Sequence, residues 1–543
     1  MQTQDLSYKL NNDIIAVRGC SELVFDVSTE VFSLENVYTP ARNSFGHSSG
    51  TYRSNSLVWG NAERTDGEVV LEVSDAKFGK AFDVSARLGQ PIRGIKLRFD
   101  NLPVGTLISL TDEDKAVSEY GICLKYPEGW RSLSTPLLVF KLDNGRYLYI
   151  RCLDKTVSEK RFFIKKTGEG VMRVDVVQDA RGVDISDSFA APRVEVGVTD
   201  SSDEIYTLHS DYIKAAFGLD EYAECRIAPS WLKDISLVVT MHMQSFTGYM
   251  FHTYRSALND MKRLCEHIDG RKVLVYLAGW EGRYYYKYGN YTPDDRMGGA
   301  EGLKAAVDGM HALGCKVMAM YGINMANRAI PAIDALAEDN EFVSVSGARY
   351  RHGSVDWEGA HHYDFGGFAN LNIAKKGWSD YLFGQIKSAT DEFGFDGAFL
   401  DIAACYINDG QADVYDGVVR FCDRLRTIKP DFLIGGEGYY DGLSRAMPLF
   451  QSGHTDGKLH YHDRASEKLF TRFSREFAHL CIGDLSRGSS GVHELGENDD
   501  RIAPLRRGII PTIALVEDTL DKAADKVKEA LALAELYGEG KFE

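Results

Sequence analysis

Residues 394–437 read GFDGAFLDIAACYINDGQADVYDGVVRFCDRLRTIKPDFLIGGE. Gly397–Asp401 is a short apolar run closed by an acid, and Phe432–Glu437 is a second one. Between them, near Val414–Ile428, the apolar residues recur at helical spacing. Strand, helix and strand, with both strands apolar on both faces, is the pattern of parallel strands covered by helices. The pattern continues in both directions. Upstream lie candidate strands Ile235–Met241, Val273–Ala278 and Val317–Tyr321, with helices near Tyr254–Ile268, Glu301–Leu313 and Lys376–Phe393. Downstream lie Lys458–His462, His479–Asp484 and Ile509–Leu515, then an amphipathic helix over Thr519–Tyr537. Eight such strands in about 310 residues predict a (β/α)8 barrel over 231–543. A doubly wound open sheet is the rival, but no GxGxxG follows the first strand and no Walker sequence occurs.

Before residue 230 the period changes to two. Glu68–Val73, Ile95–Asp100, Arg173–Val177 and Arg193–Val198 alternate apolar and polar residues, as half-buried strands do. Pro136–Leu142 and Arg146–Leu153 flank Asp143-Asn144-Gly145, a tight-turn signal. No long amphipathic helix is read here, so residues 1–230 are expected to form a large antiparallel β-sandwich, giving an α/β chain of two domains. The stretch from Ala329 to Asn372 is too long for a bare connector and is expected to be functional or partly structured.

Composition narrows the function. The 543 residues are 44% hydrophobic and 26% charged, which is ordinary for a globular protein with a large core. The net charge of −17 offers no basic face for nucleic acid. No apolar run approaches the roughly 20 residues that span a bilayer, so no membrane partner is expected. Nine scattered cysteines without a CxxC pair point away from a disulfide framework and from a zinc ribbon. With no basic-then-apolar leader at the start, the chain reads as cytoplasmic, although a removed signal peptide would leave the same trace.

Barrel enzymes carry their chemistry at the carboxyl ends of the strands. Here the fourth strand ends in Asp401 and the fifth in Glu437, among glycines that allow a ligand to approach. Two carboxylates side by side across a cleft are the equipment of glycoside hydrolysis: one attacks the anomeric carbon or activates water, and the other protonates the leaving oxygen. The loop after the second strand holds Trp280, Tyr284, Tyr285, Tyr286, Tyr288 and Tyr291, with Asp294 and Asp295 close behind. Aromatic faces stack on sugar C–H faces and carboxylates bind hydroxyls, so Trp280, Asp294 and Asp295 are candidate sugar contacts, as are Tyr321 and Asn324 after the third strand. His352, His361, His362 and Asp364 cluster in the long loop. Their spacing is not that of HExxH, and His362 is assigned to hydroxyl binding. His460 and His462 alternate on one candidate strand.

The string Gly394–Asp401, preceded by a helix carrying Trp378 and Tyr381, resembles the fourth-strand signature of retaining α-glycoside hydrolases. An Asp on strand four with a Glu on strand five is similar to the α-amylase clan and the endo-α-N-acetylgalactosaminidases, and the latter also place a large β-sandwich before the barrel. The resemblance implies Asp401 as nucleophile, Glu437 as acid/base, no cofactor, and an oligosaccharide or glycoconjugate substrate. Phe399 stands where the α-amylase pattern has arginine. An α-galactosidase-like arrangement would take its acid/base from a later strand, and Asp484 occupies that position. Two further classes remain: a non-catalytic carbohydrate-binding barrel, and a metal-dependent hydrolase using His352, His361 or His362.

Overall fold

The computed structural model describes residues 15–18, 23–34, 44–45, 49–53, 56–60, 68–109, 114–127, 132–244, 249–282, 288–349, 351–352, 367–454, 468–479 and 505–542. The second half is a parallel barrel. Its strands are β1 (Leu237–His242), β2 (Val273–Ala278), β3 (Lys316–Gly322), β4 (Gly397–Asp401), β5 (Leu433–Glu437), β6 (Leu449–His454) and β7 (Arg475–His479). The eighth position is shared by β8 (Ile509–Ile510) and β9 (Thr512–Leu515) on either side of Pro511. Proline has no N–H to give to a ladder, so the strand breaks there. β8 pairs with β7 and β9 pairs with β1, and the Pro511 carbonyl accepts from Val238 N at 2.9 Å, which closes the ring. Tyr276, Phe399 and Phe477 fill its interior, with Tyr276 and Phe399 centred 4.4 Å apart.

α1 (Ser202–Phe217), the first α-helix among the described residues, precedes the barrel. Around the barrel run α2 (Tyr254–Leu264), α3 (Gly299–Ala312), α4 (Pro331–Asn340), α5 (Lys376–Phe393), α6 (Val414–Leu425), α7 (Thr519–Lys522) and α8 (Ala524–Gly538). α2 starts in a capping box between Thr253 and Ser256, and α5 ends on Gly394 in the left-handed conformation. The stretch from Ala329 to Asn372 is indeed partly structured. It holds α4 and the strands Arg351–His352 and Phe368–Asn370, the latter pairing with Met325–Asn327.

Two expected strands are corrected. The sixth is Leu449–His454, and the seventh already starts at Arg475 and is described to His479, where the sequence predicts His479–Asp484. Lys458–His462 lies outside the described residues, as do the residues from Leu480 to Pro504. The run LFQSGH escapes a reading by pattern because Gln451, Ser452 and Gly453 interrupt its apolar residues.

The first half contains a seven-stranded and a nine-stranded antiparallel sheet among the described residues, packed on a shared core that includes Phe25, Phe82 and Phe99. The hairpin over Leu137–Leu142 and Tyr147–Leu153 turns at Gly145, whose φ is 81°. The expectation of no long helix before residue 230 is overturned by α1, sixteen residues long. Its signals are present in the chain: Ser201 caps it, Asp203 and Glu204 sit in its first turn, Gly218 ends it, and Ile205, His209, Ile213 and Phe217 recur every four residues on the buried face.

The sandwich grips two barrel loops. Asn408, after β4, accepts from Gly182 N at 2.6 Å and donates to the Ala180 carbonyl at 2.9 Å. Asp441, after β5, is buried and accepts from Tyr126 Oη at 2.6 Å and Thr135 Oγ1 at 2.8 Å. Burial pushes the Asp441 carboxyl up to about 6. A carboxyl whose pKa is higher folded than unfolded adds its full stability only below the unfolded value, and loses it as pH rises through the folded one. Wild-type stability relative to Asp441→Asn should therefore fall by roughly 2 kcal/mol between pH 4 and pH 7, measured by urea unfolding of both proteins across that range. A flat difference would contradict the assignment.

Candidate active site

Asp401 is the last residue of β4, and the β4–β5 ladder ends with Leu400 opposite Gly436. Glu437, the last residue of β5, therefore stands beside it at the carboxyl mouth. The glycines of β5 leave room for methionines: a Cβ on Gly436 would lie 2.5 Å from Met447 Sδ, so that side chain would have to shift, and one on Gly435 would lie 3.1 Å from Met318 Sδ.

The backbone turns sharply after Asp401. Ile402 has φ 54°, a left-handed conformation that costs a β-branched residue free energy and persists only where its surroundings hold it. The clamps are visible. Ile402 N donates to Glu437 Oε2 at 2.8 Å, Ala404 N donates to the Glu437 carbonyl at 3.0 Å, and Cys405 N donates to the Ile402 carbonyl at 3.1 Å. Ile323 N reaches the Asp401 carbonyl at 3.3 Å. The Asp401 carboxylate is nearly buried, and its Oδ2 accepts from Tyr288 Oη at 2.5 Å. The site thus joins two acids through one strained turn. Asp396, five residues before Asp401, has a different life. It accepts from Val317 N at 2.9 Å and from His311 at 2.8 Å, and so ties the start of β4 to the approach to β3.

The expected sugar contacts separate. Trp280 is wholly buried; its indole N–H donates to the Met320 carbonyl at 3.0 Å and its ring packs against Tyr291, Tyr321, Phe393 and Phe395. It is a packing residue beneath the mouth, since no face of its ring is exposed. Tyr321 is also buried, 4.7 Å from the Tyr291 ring; burial and the nearby Glu281 charge push its phenol up. Its hydroxyl has no hydrogen-bond partner among the described residues. Asn324 is buried with Nδ2 3.5 Å from the Ile402 carbonyl, so it braces the same turn. Asp294 caps the short 3-10 turn Asp295–Met297 by accepting from Arg296 N, and also pairs with the Arg296 side chain at 2.8 Å. Asp295 is exposed on that turn. His362 and Asp484 lie outside the described residues, as do His361, Asp364, His460 and His462, and nothing is described of the His352 side chain. Among the described residues no group of three or more His, Cys, Asp or Glu side chains is placed to hold a metal ion.

Three residues near the site are not singled out by the sequence. Tyr288 reads as one ring among several in an aromatic loop, and nothing in that loop tells which ring turns inward. Glu281, fully buried, follows Trp280 directly; an acid next to a strand end is a usable signal. Gln451 on β6 pairs in register with Glu437, and its Nε2 has no partner among the described residues. It goes unseen with the strand that carries it.

No family model matches the sequence, and no curated protein matches it. Solved structures do match the fold. The ligand-free α-N-acetylgalactosaminidase NagBb from Bifidobacterium bifidum superposes with a TM-score of 0.70 at 14% identity, over 98% of this chain and 92% of that one. The GH36 α-galactosidase AgaA from Geobacillus stearothermophilus, in a doubly substituted form in complex with raffinose, gives 0.53 at 13% identity, over 99% and 77%. The galactosidase domain of the α-galactosidase-sucrose kinase AgaSK gives 0.53 at 13%, over 98% and 74%. The likeness extends over the sandwich as well as the barrel.

The Ile402 turn makes a separable claim about Glu437. Glu437→Ala removes the acceptor from a strained N–H and should destabilise the fold by about 1–3 kcal/mol, whereas Glu437→Gln keeps an acceptor oxygen and should cost less than half as much. Urea unfolding of the two variants measures this, and equal losses would mean that the hydrogen bond contributes nothing.

Proposed function

We propose that this protein hydrolyses α-linked glycosides of galactose-type sugars with retention of configuration. The carrying observation is the pair Asp401 and Glu437, side by side at the ends of β4 and β5 and coupled through Ile402 N–H. The fold supports the substrate class. NagBb has been solved with GalNAc, and a variant of AgaA with raffinose.

In this reading a carboxylate oxygen of Asp401 attacks the anomeric carbon as the glycosidic C–O bond breaks, and Glu437 gives its proton to the departing oxygen. The glycosyl ester on Asp401 is then attacked by water. Glu437 takes the water proton, the ester C–O bond breaks, and Asp401 returns to its carboxylate. Near-burial of Asp401 excludes water from the nucleophile, and the clamped turn keeps it aimed.

One observation favours a second assignment of the acid. A backbone N–H donated to Glu437 Oε2 favours its ionised form, whereas a general acid must hold a proton. Asp484, in the segment after β7, would then protonate the leaving group, and Glu437 would only hold the turn.

The test uses 2,4-dinitrophenyl and unactivated α-galactosides and α-N-acetylgalactosaminides. Asp401→Asn should lower kcat about 10^4-fold or more; unchanged turnover would remove the proposal. In Glu437→Ala, activated substrates should be cleaved and azide should restore turnover with an α-glycosyl azide as product. Azide rescue of Asp484→Ala instead would transfer the acid/base role. Loss of wild-type activity with a chelator, restored by zinc, would move the protein to the metal-dependent class. Sugar binding without turnover in the wild type would leave a binding barrel.

A further inference from the structure

The ring of Tyr288 occupies a slot that the chain has cleared for it. Gly322 ends β3 directly opposite Asp401 in the β3–β4 ladder. A Cβ at Gly322 would stand 2.4 Å from Tyr288 Cδ2 and 2.5 Å from Cε2. Only the missing side chain lets the ring lie over that strand end. The ring is held from other sides too. The Tyr288 carbonyl accepts from Asn327 N at 2.9 Å, and Gly322 N donates to Tyr291 Oη at 2.7 Å, which seats the neighbouring ring. Tyr288 is wholly buried, and its hydroxyl ends 2.5 Å from Asp401 Oδ2.

We infer that Tyr288 is a positioning residue for Asp401: its phenol O–H fixes the rotation of the carboxylate and leaves the orientation of the attacking oxygen no freedom. The inference rests on the reading of Asp401 as nucleophile. Its chemistry has two faces. A hydrogen bond to a carboxylate favours the ionised form, which attack requires. When the glycosyl ester breaks down, negative charge returns to the same oxygens, and a donor already in place receives it without rearrangement. A rigid aromatic ring in a cleared slot suits this task better than a flexible side chain, because an orientation error of about an ångström is costly in displacement reactions.

The test is Tyr288→Phe in the full chain, which keeps the ring and removes the hydroxyl. With a 2,4-dinitrophenyl α-glycoside, kcat should fall roughly 10- to 100-fold while KM changes less than about threefold. In parallel, protein labelled with 13C at aspartate carboxyls is titrated by NMR, the Asp401 signal being assigned by its loss in Asp401→Asn. Its midpoint should rise by at least about half a pH unit in Tyr288→Phe. This readout needs no turnover. A raised midpoint in a protein inactive on every glycoside would uphold Tyr288 and remove the glycosidase reading. An unmoved midpoint, or an unchanged kcat in an active enzyme, would overturn the inference. If Tyr288→Phe does not fold, Gly322→Ala keeps the hydroxyl but pushes the ring aside, and the same two shifts are expected; their absence overturns the inference equally.

Discussion

The parallel ladder between β4 and β5 is the constraint from which the site follows. Pairing ends at Leu400 and Gly436, and the next residue on each strand is an acid. Those two residues cannot separate without breaking the barrel. The ladder also imposes costs that local residues meet. β5 is nearly bare where Met318 and Met447 pack beside Gly435 and Gly436. The turn after Asp401 must double back at once, and Ile402 accepts a conformation that a β-branched residue resists. Glu437 then does two jobs from one carboxylate: it stands in the mouth and holds that turn.

The sandwich is part of the same arrangement. It binds the loop after β4 through Asn408 and the loop after β5 through Asp441. These are the loops that follow the two candidate acids. Asp441 is enclosed by Tyr126, Thr135 and the Gly442 N–H, donors that favour its ionised form and offset only part of the burial that raises its pKa. A loop set from both ends, by a strand and by the sandwich's hydrogen bonds, has little room to drift. The two sheets therefore help to fix the loops that follow Asp401 and Glu437.

Much of this is legible in the residues. Period-two segments before residue 230 and apolar strands alternating with helices after it give the two architectures, because side-chain direction repeats every two residues in a strand and about every 3.6 in a helix. Asp401 and Glu437 are legible because an acid that closes an apolar run has nowhere to go but a strand end. Other features are hidden for physical reasons. β6 contains Gln451, Ser452 and Gly453 and so lacks a continuous apolar pattern. α1 is masked by a polar composition although its caps and its four-residue spacing are present. Trp280 sits next to a strand end like a ligand residue, yet points into packing. Sequence position alone does not say toward which side of the strand end an aromatic ring turns. Tyr288 and Gly322 form a unit only across a long stretch of intervening chain, through a missing Cβ that no local pattern reports.

Closure of the ring across Pro511 also has a temporal side. β1 begins at Leu237, and its second neighbour β9 ends at Leu515. During synthesis the sandwich sheets can complete their pairing while the barrel is still an open sheet with β1 as an unpaired edge. At roughly 5–20 residues per second this interval lasts on the order of tens of seconds. Throughout it β1, whose residues are all buried in the finished barrel, is exposed to any other edge it meets. Slow non-local pairing of this type favours aggregation over folding when chains are crowded. The short β8, the proline and the short β9 leave little uninterrupted edge on the last strand, so the closing element is itself a poor template for a foreign strand while it waits for β1.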